Sequence, residues 1–377
     1  EPKSFGGTLS YYNNRTGKNK KYEKFLVTES IAMVESAGHT YIAMDSAITR
    51  LQGDSLITLI RTNSSGPFTI QETATGQLTF NNCRGLFRYN IARNTIDTLY
   101  NSGGKCVRAF WNYKGYYFLG TYGAGFLIYH NGNVKQMPMD KNNYLLYTHC
   151  FVPDDFGYCW ISTNRGLFKA SLEELIHAFE ENVPNVYYHY LGRNNGMAMT
   201  ELNGGCAPCA LRLRNGQLSF PTMDGLLQVD PVNAKLVLPE RGLYIDEMRV
   251  NNLPVNSDSL KWKSLPSSTD EVIIELGYAG WSNSENIYIE FQLDDTLEWK
   301  KLSVGNPGII RFNNPEPGPH SLRIRKMNGF GINNYSYLNI SFNIDRRWYR
   351  QWWFYTLQAI LILVLFAWFY KIRTRRF

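Results

Sequence analysis

The chain has 377 residues, 44% of them hydrophobic and 15% aromatic, with 39 Lys+Arg against 32 Asp+Glu and a net charge of +7. Seven of the basic residues and none of the acidic ones fall in residues 346–377, so the first 345 residues balance 32 against 32. That balance removes the support for nucleic-acid binding by the globular part, and the length allows two or three domains with real cores.

With 25 Tyr, 21 Phe, 9 Trp and 31 Gly, and no long helical periodicity before residue 350, the composition predicts β structure rich in tight turns. One pattern recurs along the first 230 residues: a short apolar strand, a polar or Gly-containing turn, then a Gly anchor that opens a second strand. Full copies cover Leu78–Asn90, Tyr117–His130, Cys159–Ala170 and Leu218–Asp230. Weaker copies cover Thr40–Leu51, with Ala47 at the anchor, and Gly6–Tyr12. The anchors Gly7, Ala47, Gly85, Gly125, Gly166 and Gly225 are spaced by 40, 38, 40, 41 and 59 residues. A period near 40 with several strands per repeat is the mark of a β-propeller blade. Gly at the anchor permits a backbone conformation that a Cβ would hinder. Further strands precede these pairs, with hairpin turns at Asn112–Gly115 and Pro153–Gly157.

The 59-residue interval contains an insertion: Ser171–Glu174 is a capping box that opens a helix running to Glu181, followed by a polar loop, Arg193–Gly205. Six anchors, the first only half a blade, predict a propeller that lacks its N-terminal blades. A chain starting at Glu1 is expected to be a fragment of a longer one. After Asp230-Pro231 the texture changes to alternating strands at Leu243–Val255, Glu271–Ala279, Asn286–Leu302, Gly308–Gly331 and Leu338–Ile344, which predict an immunoglobulin-like sandwich. From Gln351 to Tyr370 twenty residues carry no formal charge, enough helix to span the roughly 30 Å of a bilayer core. Trp348, Trp352 and Trp353 at one end and Trp368 and Tyr370 at the other form the expected interface belts, and Lys371, Arg373, Arg375 and Arg376 place the far end in the cytoplasm. The expected organisation is all-β: a partial propeller over residues 1–235, an Ig-like domain over 236–345, and a juxtamembrane segment with one transmembrane helix over 346–377, spanning 351–370.

The segments WISTNRGLFKA and FLGTYGAGFLIY resemble the two-component-regulator propeller repeat, and NNGMAMTELN followed by GQLSFPTMDGLLQVDP resembles the last blade of such propellers. Pro221-Thr222 and Ala47 depart from the pattern. The strand order after residue 231, with Trp299, Pro317-Gly318 and Asn328–Gly331 at its turns, is similar to the three-Y domain that follows these propellers. The resemblance covers nearly the whole chain. It implies the periplasmic sensor region of a Bacteroidetes two-component or hybrid sensor histidine kinase, with residues 1–345 in the periplasm and a single pass through the inner membrane. It further implies a kinase or a helix-turn-helix domain beyond the span, a small-molecule or oligosaccharide ligand, a homodimer, and no cofactor or catalysis in this region. The competing readings are an exported, tail-anchored propeller hydrolase acting on glycans and an adhesion protein.

Candidate chemistry is sparse. Cys206–Cys209 is a C-x-x-C, read as structural cysteine or a local disulfide because it precedes a strand hairpin and not a helix. Cys83, Cys106, Cys150 and Cys159 are scattered as buried small residues usually are, and their pairing does not follow from spacing. Asp154-Asp155 and Asp294-Asp295 read as solvated turn acids rather than a glycosidase pair, and His149 lacks a nucleophile at a recognisable elbow. Asn63-Ser64-Ser65 and Asn339-Ile340-Ser341 match the glycosylation pattern without bearing on a bacterial chain. Ligand recognition remains. The turns joining the second and third strands of the blades open on one face and carry Asn82, Arg84, Tyr122, Asn164, Arg165, Met223 and Asp224, the expected ligand-binding ring.

Overall fold

The computed structural model describes residues 7–13, 16–27, 32–44, 46–53, 55–62, 66–204, 207–239, 242–255, 264–278, 282–294, 296, 298–302 and 308–374. Cys206, Asp295, the Asn63–Ser65 tripeptide, Arg375 and Arg376 lie outside this set. The fold is all-β with one apolar helix at its C-terminal end. The chain divides into two units, residues 1–237 with 329–332, and residues 238–328 with 333–377.

In the first unit a hairpin, Gly7–Asn13 with Lys18–Val27, precedes antiparallel meanders in strict sequence order. Four have four strands, over residues 32–61, 69–101, 107–136 and 148–191, and a fifth over 211–229 has three. The second strands, Gln77–Asn82, Tyr116–Thr121 and Tyr158–Thr163, are buried along nearly their whole length, whereas fourth strands such as Thr95–Asn101 are exposed. Burial on both faces explains why the second strands read as continuous apolar runs and not as an alternation.

Each sheet shares a core with the next. Tyr41, Ala43 and Ile48 pack with Ile70, Leu78 and Phe80. Leu86 packs with Val107, Phe110 and Leu119. Phe118, Phe126 and Ile128 pack with Phe151, Ile161 and Phe168. Val152, Trp160 and Leu167 pack with Leu218 and Phe220. Face-to-face stacking of successive sheets is how propeller blades bury their apolar surfaces.

The anchor glycines have a steric reason. Gly85 has φ +148°, and a Cβ there would stand 1.9 Å from the Tyr100 carbonyl oxygen. Gly166 has φ +143°, with Tyr190 Cε2 at 2.4 Å from the Cβ position. In the first meander the left-handed residue is Ser46 (φ 60°), one position earlier, which is why Ala47 is tolerated at the anchor.

Helix α1 (Leu172–Glu181) starts at Ser171, whose Oγ accepts the Glu174 N–H. The Glu174 carboxylate does not reach back to complete the box. It accepts the N–H of Gly331, while the Phe330 ring packs on Tyr158 and Tyr187.

The second unit is a sandwich. One sheet orders Leu253–Val255, Tyr244–Val250, Glu271–Gly277 and Ile309–Asn313. The other orders Ser264–Leu265, Tyr335–Ile344, Gly318–Met327, Ile289–Leu293 and Lys300–Lys301. Met248, Val272, Ile274 and Ile310 of the first sheet meet Ile289, Leu322, Ile324, Ile340 and Phe342 of the second in one core. Alternate residues of each strand face inward, as the period-2 pattern requires. Beyond Ile344 a short 3-10 turn, Trp348–Arg350, leads into helix α2 (Trp352–Thr374), 23 residues with mean hydropathy 1.8 over its apolar window, none of which is buried.

Candidate ligand-binding site

The site is assembled by an irregularity of strand pairing that recurs between sheets. In the third meander Val107 pairs with Thr121 and Ala109 with Gly120, so Arg108 is left over. In the fourth, Thr148 pairs with Thr163 and Cys150 with Ser162, so His149 is left over. An extra residue of this kind bends its strand and re-aims its side chain. In the second meander Thr69 pairs with Asn81, which holds the place of Gly120 and Ser162, and Phe68 immediately precedes Thr69. Phe68, Arg108 and His149 therefore occupy equivalent places in three consecutive sheets.

Their side chains form a row. The Arg108 guanidinium carbon lies 4.9 Å from the Phe68 ring centroid and 5.7 Å from that of Tyr122. Tyr122 meets Tyr147 edge-on at 4.7 Å and stands 6.4 Å from the His149 ring. His149 Nε2 donates to Asn164 Oδ1 at 2.5 Å. Tyr122 reaches this row because its turn, Thr121 to Gly125, is one residue longer than the turn from Thr163 to Gly166. It remains 55% exposed and Tyr147 36%.

Burial lowers the His149 pKa from its ordinary value; the hydrogen bond to Asn164 works the other way, and the nearby Arg108 cation lowers it again. The ring is therefore neutral near neutral pH. Its back is closed by Gly204, whose backbone passes so near that a Cβ would lie 2.5 Å from the imidazole. The neighbouring Cys150 is bonded to Cys209, which ties the start of the fourth meander to the entry of the fifth.

The expected ring residues separate into two groups. Tyr122 and Asn164 lie in the row. Asn82 is buried and folded into its own turn, its Oδ1 accepting the Arg84 N–H at 2.7 Å. Thr163 and Thr222 clasp Arg165 and Asp224 through the same kind of contact. Arg84, Arg165, Met223 and Asp224 are exposed on these turns. Among the described residues, the side chains of Arg84, Arg165 and Asp224 make no hydrogen bond or ion pair. Sequence reasoning missed Phe68, Arg108 and Tyr147 and weighed His149 only as a catalytic group. Phe68, Arg108 and His149 share one place in the repeat only once the strand register is known, and Tyr147 lies outside that place.

The remaining titratable residues are occupied structurally. Asp154 is buried, not solvated: its Oδ1 accepts from the Phe156 and Tyr158 amides and its Oδ2 from the Trp160 indole, with Lys169 at 3.8 Å. Asp155 pairs with Arg212 at the surface. Asp294 accepts from the Ser321 amide and from His320 Nδ1. Cys209 is held by Cys150 and Cys83 by Cys106, leaving Cys159 as a buried free thiol among the described cysteines, its pKa raised by burial. Among the described residues no group of three or more His, Cys, Asp or Glu could hold a metal ion. A cleft of about 520 Å³ on the sandwich is lined by Asp294, His320 and Phe342, but both His320 nitrogens are already engaged, by Asp294 and by the Glu316 carbonyl. At the C-terminal end Trp348, Trp352, Trp353, Trp368 and Tyr370 are 60%, 80%, 42%, 63% and 64% exposed, and Arg373 is exposed in the last turn of α2.

No protein-family model matches the chain, and no curated protein matches it. Among solved structures, the extracellular domain of the hybrid two component system BT3049 of B. thetaiotaomicron, so assigned in its description, is similar at 15% identity and a TM-score of 0.55, over 89% of this chain and 47% of that one. The extracellular domain of BT4673 of the same organism, assigned as a one component system, is similar at 16% identity and a TM-score of 0.44, over 91% and 48%. The chain thus spans about half the length of these structures, and its fold is similar to that of the BT3049 extracellular domain.

Proposed function

We propose that this chain is the extracytoplasmic ligand-sensing portion of a membrane-spanning signal-transduction regulator. The row from Phe68 to Asn164 is its ligand site, and the ligand is an oligosaccharide or a related small molecule. Residues 1–235 bind, residues 236–345 relay, and α2 carries the change across the inner membrane to a cytoplasmic kinase or DNA-binding part, with the protein working as a homodimer. The observation that carries this reading is the convergence of equivalent positions from three consecutive sheets, the buried Phe68 and His149 and the half-buried Arg108, beside the exposed rings of Tyr122 and Tyr147. Exposed tyrosines offer flat apolar faces, and the neighbouring amide and guanidinium offer directed polar contacts, the combination that small amphipathic ligands require. Two disulfides favour an oxidising compartment, and the aromatic and basic flanks of α2 favour a span with its C-terminal end inside. The fold likeness to an extracellular sensor domain supports the same placement.

The test is a saccharide panel against the whole chain in lipid nanodiscs, read by thermal shift and calorimetry. A ligand at a hundred times its Kd adds about 2.7 kcal/mol of stability, well within reach of a melt. Tyr122→Ala and Asn164→Ala should each weaken whatever binds. Unchanged affinity in both variants refutes the site. A reporter fusion after residue 376 tests the topology, since alkaline phosphatase activity there requires export and contradicts it.

A further inference from the structure

We infer that the ligand carries a carboxylate and that Arg108 receives it, so that the site takes an oligosaccharide bearing a uronic acid. This rests on the reading of the row as a ligand site and narrows it to a chemical class. Arg108 is half-buried, and among the described residues its side chain has no hydrogen-bond or ion-pair partner. Its Nε is enclosed and donates to nothing. A cation drawn out of water without a counter-charge costs stability, and a natural protein seldom leaves one so unless something else supplies the charge.

The surroundings specify that something. The rings of Phe68 and Tyr122 both lie within cation–π distance of the guanidinium. Ring contacts of this kind leave the guanidinium N–H groups without hydrogen-bond acceptors. That planar fork matches the two oxygens of a carboxylate. The other charged groups around the row do not supply the anion. Glu201 acts on His149 and is exposed, without pairing to Arg108. Arg84 and Arg165, on the turns of the second and fourth meanders, add positive charge and no negative. His149 is neutral near neutral pH. Next to the cation, the exposed ring of Tyr122 suits the C–H face of a pyranose, and Asn164 Nδ2, unpartnered among the described residues, suits a sugar oxygen.

The test uses matched probes on the whole chain in nanodiscs: short oligogalacturonates and oligoglucuronates, their methyl esters, and sulfated oligosaccharides as a third arm. At least one free uronate should bind, its methyl ester should bind about tenfold or more weakly, and Arg108→Gln should remove that difference. Arg108→Lys, which keeps the charge and loses the fork, should fall between, and melting temperatures of the unliganded variants no lower than that of the wild type separate a binding effect from misfolding. An ester that binds as tightly as its acid, a sulfated probe preferred over every uronate, an acid whose affinity ignores Arg108→Gln, or a panel with no uronate bound each overturns the inference. A neutral sugar that binds and is lost in Tyr122→Ala but not in Arg108→Gln overturns the carboxylate alone and leaves the site. A uronate indifferent to both variants overturns both.

Discussion

Arg108 and His149 stand at the same place in successive sheets, each the one residue that the pairing of its first strand leaves over. That repetition brings a cation beside an imidazole and, with burial, keeps the imidazole neutral. The position is also sterically closed. The imidazole lies against Gly204 on one side and donates to Asn164 on the other.

Gly204→Ala should therefore drive the His149 ring from its place and lower stability by about 1–3 kcal/mol, the usual cost of overpacking. Combined with His149→Ala, which vacates the space, the loss should be clearly less than the sum of the two single variants. Chemical denaturation of the four proteins in the cycle measures this. Additive losses would show that the two residues do not meet.

The anchor glycines should differ among themselves. Gly85→Ala and Gly166→Ala place a Cβ against the Tyr100 carbonyl and the Tyr190 ring, and both residues have positive φ. We expect losses of about 3 kcal/mol or more, with poor soluble yield. Gly225 has φ +117° but nothing within 4 Å of its Cβ position, so Gly225→Ala carries only the backbone penalty of about 1–2 kcal/mol. Equal effects at all three positions would contradict the steric account.

The sequence carried the repeat, its anchors, the Ser171 cap and the apolar C-terminal helix because each is a local pattern with a period or a motif. It carried the turn positions of Tyr122 and Asn164 because turn residues are recognisable from their neighbours. It could not carry Arg108 as a member of the proposed row, because a strand bulge is a matter of register between two segments and leaves no compositional trace. The Cys150–Cys209 bond spans 59 residues and was invisible for the same reason, so that Cys209 reads locally only as structural cysteine or half of a bond to its near neighbour. Asp154 reads as a turn acid, which it is, yet burial beside Trp160 and Lys169 turns it from a solvated group into a structural one.

Acid should weaken the first unit through His189. Burial, with Lys169 nearby, lowers its pKa from 6.5 to about 4. As pH falls below about 6.5 the unfolded chain takes up this proton and the folded one does not, so stability is complete above that pH and declines down to about 4. The full effect is on the order of 3 kcal/mol, and His149, also lowered, acts in the same direction. Asp140 and Glu174, whose pKa values are raised by burial, act in the opposite direction as they protonate in the folded state. Comparing melts of the wild type and His189→Gln between about pH 8 and pH 4 isolates the histidine. The variant should lose less stability over that interval, and parallel curves would contradict the assignment.

Reduction should separate the two disulfides by loop length. Cys83–Cys106 closes 23 residues and Cys150–Cys209 closes 59. Loop-closure entropy assigns them about 3 and 4 kcal/mol respectively. Cys150→Ala with Cys209→Ala should therefore lower the melting temperature more than Cys83→Ala with Cys106→Ala. It should also weaken ligand binding, because Cys150 adjoins His149. A ligand affinity unaffected by loss of this bond would detach the bond from the site.

The last expectation concerns how a change could leave the sandwich. The strand that ends at Ile344 is fixed at its last residues: Leu265 pairs with Ile344 in parallel, the Asp345 N–H donates to the Leu265 carbonyl at 2.9 Å, and the Asp345 carboxylate accepts from Ser264. Only seven residues, 345–351, separate this strand from α2, and they are not slack. Trp348 opens a 3-10 turn and packs its ring on Phe354 of the helix at 4.9 Å, while the Trp353 indole donates to Gln351. Arg346, Arg347 and Arg350 at this level favour headgroup phosphates, and the tryptophans favour the interface, which together set helix depth and tilt. A connection tied at both ends can pass a displacement of the strand to the helix, whereas a Gly-Ser segment dissipates it. Inserting about ten Gly-Ser residues between Asp345 and Arg346 of the full-length protein should leave ligand affinity within error of the wild type and abolish the ligand-dependent output. An insertion mutant that still switches its output with ligand would show that the signal does not travel through this junction as a rigid element, and a population shift between two dimer arrangements would then need another physical link.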